Sequence, residues 1–330
     1  MSHVTARARS VNAHDHAVIG NDGSVRSIVS AALILGFVIT GCSGGATDDG
    51  AAPTSSATRS TNTEPQRGST TPTTTVSAPS EFVPPRSERD AATRITEVER
   101  ALRDPKSSPG RLPALGWEQQ AMYRVLAAND TWADRVLASV PDDVEIVVAA
   151  NLASNASIAT LVDPPESLPA AWRIVAPPPP EALLGYYREA EAASNIPWPY
   201  LAAINLVETR MGRIAGDSTA GAQGPMQFIP SSWEAFGEGG DVRDPRDAIL
   251  AAGRYLAAAG GPDDMRAAIF AYNHADAYVA AVTGYASVMA ADERSYFGYY
   301  HWQVSYRTVD GLHLLPEGYP EVAAVRLDGL

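Results

Sequence analysis

One stretch, Pro197 to Arg213 (PWPYLAAINLVETRMGR), constrains the chain more than any other. Its apolar residues recur at helical spacing, and Pro197 and Pro199 suit a first turn, where a missing N–H costs little. The spacing predicts one amphipathic helix over the whole stretch, with Leu201, Ile204, Val207 and Met211 on one face. Glu208 falls inside that apolar stripe, whereas Arg210 is expected to point into water. A carboxylate among core-facing residues loses hydration, so its charged form is disfavoured and its pKa rises. That is what a general acid near neutral pH needs. A buried Glu satisfied by hydrogen bonds gives the same pattern, and the helix alone favours that simpler account.

The chain around this helix divides by composition. Residues 1–42 read as a lipoprotein signal peptide: Arg26 precedes the apolar run Ile28 to Ile39, too short to span a bilayer comfortably, and Ile39-Thr40-Gly41-Cys42 resembles a lipobox. Cys42 is the only cysteine, so an internal disulfide is excluded, and lipidation gives the thiol a use. Residues 43–86 are rich in Ser, Thr and Pro and offer little to bury, which predicts a disordered linker. Residues 87–163 read as a helical accessory region. Ser87 is expected to cap a first helix, a second run from Trp117 to Val140 should break at Asn129-Asp130, and Pro141-Asp142-Asp143 should open another. No chemistry is evident there. Residues 164–180 form a proline-rich joint ending in Pro177-Pro178-Pro179-Pro180, and a last domain is expected over 181–330. The net charge of −13 argues against a nucleic-acid partner. Lys106 is the only lysine, a bias typical of high-GC coding rather than of any function.

After the Glu208 helix comes a small-residue loop, Ile214 to Gln223, then Pro225-Met226-Gln227-Phe228-Ile229-Pro230. Ser231-Ser232-Trp233-Glu234 matches a capping box. Further helices are expected over Asp247 to Ala259, from Pro262 to Asn273, and over Asp276 to Ala290. An aromatic tail follows, with a hairpin around Asp310-Gly311. Three blocks in this half resemble the lytic transglycosylases, lysozyme-like enzymes that cut peptidoglycan. Glu208-Thr209 is similar to the family's catalytic Glu followed by Ser or Thr. Ser218, Gly221, Ala222, Gly224, Met226 and Gln227 match its Ser-x-x-Gly-Ala-x-Gly-x-Met-Gln block. Ala271-Tyr272-Asn273 matches its Ala-Tyr-Asn. His274-Ala275 departs from the family's usual Ala-Gly, which bears on subsite preference more than on chemistry. The run from Gln227 to Ser232 is closer to the membrane-bound B-type branch and Ala-Tyr-Asn to the soluble type, so the subfamily stays open.

The resemblance implies a mainly α fold with a lysozyme-like catalytic domain, and a lyase cleaving the MurNAc-GlcNAc β-1,4 bond to 1,6-anhydromuramyl ends. Glu208 would be acid and then base. Ser218, Gln227 and Tyr272 would line the site, with Met226 and Asn273 beside them, although Tyr272 is equally readable as a core aromatic. The implied partners are glycan strands of peptidoglycan and, through Cys42, the outer face of the cell membrane. No cofactor or metal is implied: His274, His301 and His313 lack ligand spacing, and Asp241 and Asp244 lack the regular oxygen alternation of a calcium loop. Two alternatives stay open. One is a lysozyme-type hydrolase in which Asp217 positions water, since hydrolases hold two carboxylates. The other is a non-catalytic peptidoglycan-binding lipoprotein.

Overall fold

The computed structural model describes residues 82–328 and 330. The signal peptide, Cys42 and the linker up to residue 81 lie outside the described residues. The last linker residues, 82–86, lie against the first helix: Pro85 is buried, and Arg94 sits 5.1 Å from the Phe82 ring centroid while donating to the Val83 carbonyl.

Among the described residues, four α-helices precede the proline-rich joint. Helix α1 spans Glu88–Arg103, and the Ser87 hydroxyl accepts from the Asp90 N–H as the sequence predicted. Helix α2 covers Leu112–Ala127 and α3 Asp130–Leu137, broken where Asn129 caps α3 through the Trp132 N–H. Helix α4, Asp142–Ala159, follows Pro141 with three acids in its first turn. A short strand β1, Arg173–Ile174, is inserted in the joint and pairs antiparallel with β2, Ile214–Ala215. The polyproline run then delivers α5, Pro180–Ser194.

The key helix, α6, is Trp198–Thr209. It ends four residues before the predicted limit because Arg210, Met211 and Gly212 all have positive φ, which no helix continues through. It is also not amphipathic. Leu201 to Leu206 are all buried, as are Glu208 and Thr209, so α6 runs through the core with apolar contacts on every side. Arg210 does not point into water. It is half-buried, donates back to the Leu206 carbonyl at 3.0 Å and lies 5.9 Å from the Trp302 ring centroid.

Beyond α6 come α7 (Pro230–Phe236), α8 (Pro245–Ala258), α9 (Met265–Tyr272), α10 (Asp276–Ala291) and α11 (Ser295–Tyr300). The expected capping box at α7 is not made. Pro230 occupies the first helical position, so Ser231 is already inside the helix and Ile229 takes the cap without a side-chain bond. Helix α9 begins at Met265 rather than at Pro262, because the Asp264 carboxylate accepts from the Ala267 N–H and sets the start there. The hairpin at Asp310-Gly311 is present as β3 (Ser305–Thr308) and β4 (Gly311–Leu314), extended by β5 (Val325–Arg326). The short α11 was not foreseen.

The helices before and after the joint share one hydrophobic core. Ile95, Met122, Leu126 and Val148 belong to the same buried cluster as Leu201, Ile249, Val282 and Tyr285. Helix α10 packs against both α4 and α6, and α11 against α2. A buried polar network crosses the same seam. Glu99 on α1 accepts from Tyr123 at 2.5 Å and from Gln119 at 2.9 Å, Gln119 accepts from the Trp302 indole at 2.9 Å, and Tyr299 donates to Asn151 at 2.7 Å. A smaller cluster, including Trp172, Ile214, Tyr306 and Tyr319, ties the joint to β2 and the C-terminal sheet. Among the described residues no helix is long and apolar enough to cross a membrane.

Candidate active site

Glu208 occupies the last turn of α6 and is 4% exposed. Burial holds its carboxyl protonated up to about 8, and a hydrogen bond from Tyr278 opposes that shift. Tyr278 lies in the first turns of α10 and donates to Glu208 Oε1 at 2.6 Å. No other side chain among the described residues donates to Glu208, which leaves Oε2 without a protein donor. Glu99 makes the contrast. It too is buried with a raised pKa, but both Tyr123 and Gln119 donate to it, and Arg103 adds a favourable charge. Glu99 therefore carries two donors and a nearby cation, whereas Glu208 carries a single donor and no nearby cation.

The end of α6 is fixed by bonds to one carbonyl. The Asn205 amide and the Thr209 hydroxyl both donate to Pro225 O, at 2.7 and 2.6 Å. Thr209 also accepts from the Gly212 N–H at 3.1 Å, which supports the left-handed turn directly after the acid. Tyr187 on α5 donates to Asn205 Oδ1 at 2.6 Å. The loop that carries the second sequence block is thereby held against the helix that carries Glu208.

That loop is shaped by its own residues. The Ser218 hydroxyl accepts from the N–H groups of Ala220 and Ala222, at 3.2 and 3.0 Å, and so closes the loop rather than reaching Glu208. Gly224, with φ of 70°, passes so close to Val242 that a Cβ there would lie 1.8 Å from its carbonyl oxygen. Gln227 has φ of 52° and is 4% exposed; its amide donates to Gly224 O at 2.8 Å, and its Oε1 is buried without a partner. Met226 is fully buried and contributes its carbonyl, which accepts from the Tyr272 hydroxyl at 2.5 Å. Asn273 is buried as well, at 3% exposure. Tyr272 is half-buried within a set of edge-to-face rings, 5.2 Å from Tyr255 and 6.0 Å from Phe228. Glu208 is close enough to push the Tyr272 hydroxyl pKa further up, after burial has raised it. Tyr272 thus lies near Glu208, while Ser218, Gln227 and Tyr272 all spend their hydrogen bonds on backbone groups and none of them bonds to it.

The residue that does orient Glu208 is Tyr278, which the sequence reading did not single out. It is one of several aromatic and apolar positions along α10, with no local pattern to mark it. Only the packing of α10 across α6 brings it to the acid.

Asp217, the candidate second carboxylate, is exposed and pairs with Arg243 at 3.0 Å. Asp241 and Asp244 spend oxygens on backbone N–H groups, of Arg243 and Asp247 respectively. His274 is exposed with its ring 5.3 Å from Phe270, and His301 is held neutral to about 4 by burial and by Arg213. Among the described residues no group of three or more His, Cys, Asp or Glu side chains could hold a metal ion.

With this geometry in place, residues 185–293 match the model of the Transglycosylase SLT domain family. The match runs from α5 through α10 and includes Glu208, the loop block, Tyr272 and Tyr278. It supports a lysozyme-like domain in the C-terminal part of a mainly α chain, of the lytic transglycosylase type that acts on peptidoglycan. No curated protein and no solved structure matched the chain.

Proposed function

We propose that the protein is a peptidoglycan lytic transglycosylase in which Glu208 is the single acid and base. The observation that carries this reading is a buried carboxylate within the matched segment, protonated up to about 8, with a single donor and no nearby cation. A hydrolase needs a second carboxylate to fix a nucleophile or a water. Asp217 is instead turned out to Arg243 in solvent.

In the proposed reaction neutral Glu208 gives its proton to the glycosidic oxygen as the C1–O bond of the muramyl sugar breaks. Positive charge developing at C1 faces the carboxylate just formed, in a site that burial has desolvated. The sugar's own 6-hydroxyl then attacks C1, and Glu208 takes the proton that it loses. No water is consumed, and the acid is regenerated. Tyr278 supports the ionised stage, since its hydrogen bond favours the carboxylate over the acid. The tyrosine rings around Tyr272 and Phe228 hold the loop against this centre. Lipidation of Cys42 would place the enzyme on the outer face of the cell membrane, facing the wall, and loss of labelled-lipid incorporation in Cys42→Ala is the expected result for that anchor.

The test is mass spectrometry of purified peptidoglycan digested with the full chain, beside a Glu208→Gln variant. Anhydromuramyl products from the wild type and none from the variant are expected. Reducing muramyl ends would move the reading to hydrolysis and to Asp217. Binding to the polymer without any product would make the protein a binding module.

A further inference from the structure

In this acidic chain most arginines meet a carboxylate: Arg94 meets Glu118, Arg100 meets Asp143, and Arg246 meets Glu189. Arg124, Arg210 and Arg307 are among those that do not. None of them forms an ion pair among the described residues. Yet the fold gathers them. Arg124, in the last turn of α2, donates to the Ser305 hydroxyl on β3. One turn back, Gln120 bonds both the carbonyl and the N–H of Gln303, at 2.9 and 2.8 Å, which fixes α2 against the start of that strand. Ser305 and Arg307 are two residues apart on β3 and so share a face. Arg210 reaches in from the end of α6, over Trp302, whose ring lies 5.7 Å from Tyr285.

The electrostatics of this corner are one-sided. Burial, then the charges of Arg210 and Arg307, pull the Arg124 guanidinium down to about 9, and only Tyr285 opposes them. Burial likewise lowers Arg210, again with only Tyr285 in opposition. No carboxylate is near enough to offset either. Arg124 Nε is sealed from solvent with no acceptor. Helix C-termini account for part of the arrangement, since Arg124 and Arg210 each sit where a helix ends. They do not supply an acceptor for the Arg124 Nε or explain why Arg307 is added to a site already short of negative charge. Packing like charges without a counter-ion is costly, and an anion bound among them removes that cost.

We propose that Arg124, Arg210, Arg307 and the Ser305 hydroxyl form a binding site for a phosphate group. A carboxylate would take one guanidinium fork and neutralise one charge. Three guanidinium groups and a hydroxyl suit a tetrahedral oxyanion of higher charge. The site stands apart from the chemistry at Glu208, because the left-handed turn after Thr209 carries Arg210 to the Trp302 side.

The full chain would be titrated with inorganic phosphate while thermal unfolding is followed at fixed ionic strength, with chloride as the control. A saturable rise in Tm of about 5 °C at high phosphate is expected. Arg307→Gln, at an exposed position outside the core, should fold normally and bind phosphate at least about tenfold more weakly, as expected for losing one charge-assisted contact. Arg124→Gln should lose the response and, without phosphate, unfold no lower than the wild type, because it removes a repelled charge. No rise beyond the chloride control, or an equal rise in both variants, would overturn the proposal. Flotation with phosphatidylglycerol vesicles separates the sources. Binding that Arg307→Gln loses assigns a lipid headgroup, and a phosphate response without vesicle binding assigns a soluble or polymer-borne phosphate.

Discussion

Glu208→Gln offers a quantitative test of how the site holds its proton. An unfolded glutamic acid titrates near 4.5, and folded Glu208 near 8. Because the folded value is the higher one, the folded state binds the proton more tightly. Its stabilising effect is full below the unfolded pKa, declines as pH rises from there, and is gone above the folded pKa. At about 1.4 kcal/mol per tenfold difference in proton affinity, the whole effect is roughly 5 kcal/mol, an upper figure for a group held this deep. Glutamine keeps the acceptor for Tyr278 and carries no proton to lose. The variant should therefore match the wild type within about 1 kcal/mol near pH 5 and exceed it by about 4 kcal/mol near pH 9. In urea melts that gap is a midpoint difference of more than about 1 M, growing with pH. The assay is a set of urea titrations of both proteins from acid to alkaline pH. A stability difference that does not change across that range would refute the reasoning, because it would mean that Glu208 ionises as an ordinary surface carboxylate does.

Other perturbations probe the parts around the acid. Tyr278→Phe removes the one donor to Glu208, so the alkaline limb of the rate–pH profile should move to higher pH while kcat falls about tenfold or more; an unchanged profile would mean that the hydrogen bond is not made in solution. Asp217→Asn should leave the rate within a few-fold, since its partner Arg243 is exposed and such pairs are weak; loss of activity would restore the hydrolase reading. Gly224→Ala requires a Cβ where Val242 O already stands, at a positive φ, so thermal melts should show a loss of at least about 3 kcal/mol or failure to fold. A fragment of residues 181–330 alone should be aggregated or molten by near-UV circular dichroism, because it would expose the faces of α10 and α11 that pack on α4 and α2.

Helix identities were legible in the sequence where cap and period agree, as at Ser87, and where the period breaks, as at Asn129-Asp130. The burial of Glu208 was legible because an ionisable residue interrupts an apolar run. What the sequence could not convey was set by tertiary packing. The wholly buried character of α6 depends on neighbours on all sides, which a one-sided period does not reveal. Arg210 was assigned to solvent from its helical angle, but the helix ends one residue earlier, so that angle no longer applies. Ser231 looked like a cap until Pro230 took the first helical position. Tyr278 is separated from Glu208 by 70 residues, and nothing local distinguishes it from Tyr285 on the same helix. Glu99 was passed over because its partners, Gln119 and Tyr123, lie on another helix. The bonds made by the side chains of the 218–227 loop and by Tyr272 run to backbone groups, and the bond to Glu208 comes from Tyr278, which no local pattern conveys.

The most direct test of the central claim is digestion of purified peptidoglycan by the full chain in heavy-oxygen water, with the muramyl ends weighed by mass spectrometry. If Glu208 works alone and the 6-hydroxyl attacks, the new ends will be lighter by one water than hydrolytic ends and will carry no heavy oxygen. Heavy oxygen at C1 of reducing muramyl ends would contradict the account, because it would mean that a positioned water, and a second group to activate it, operates in this site.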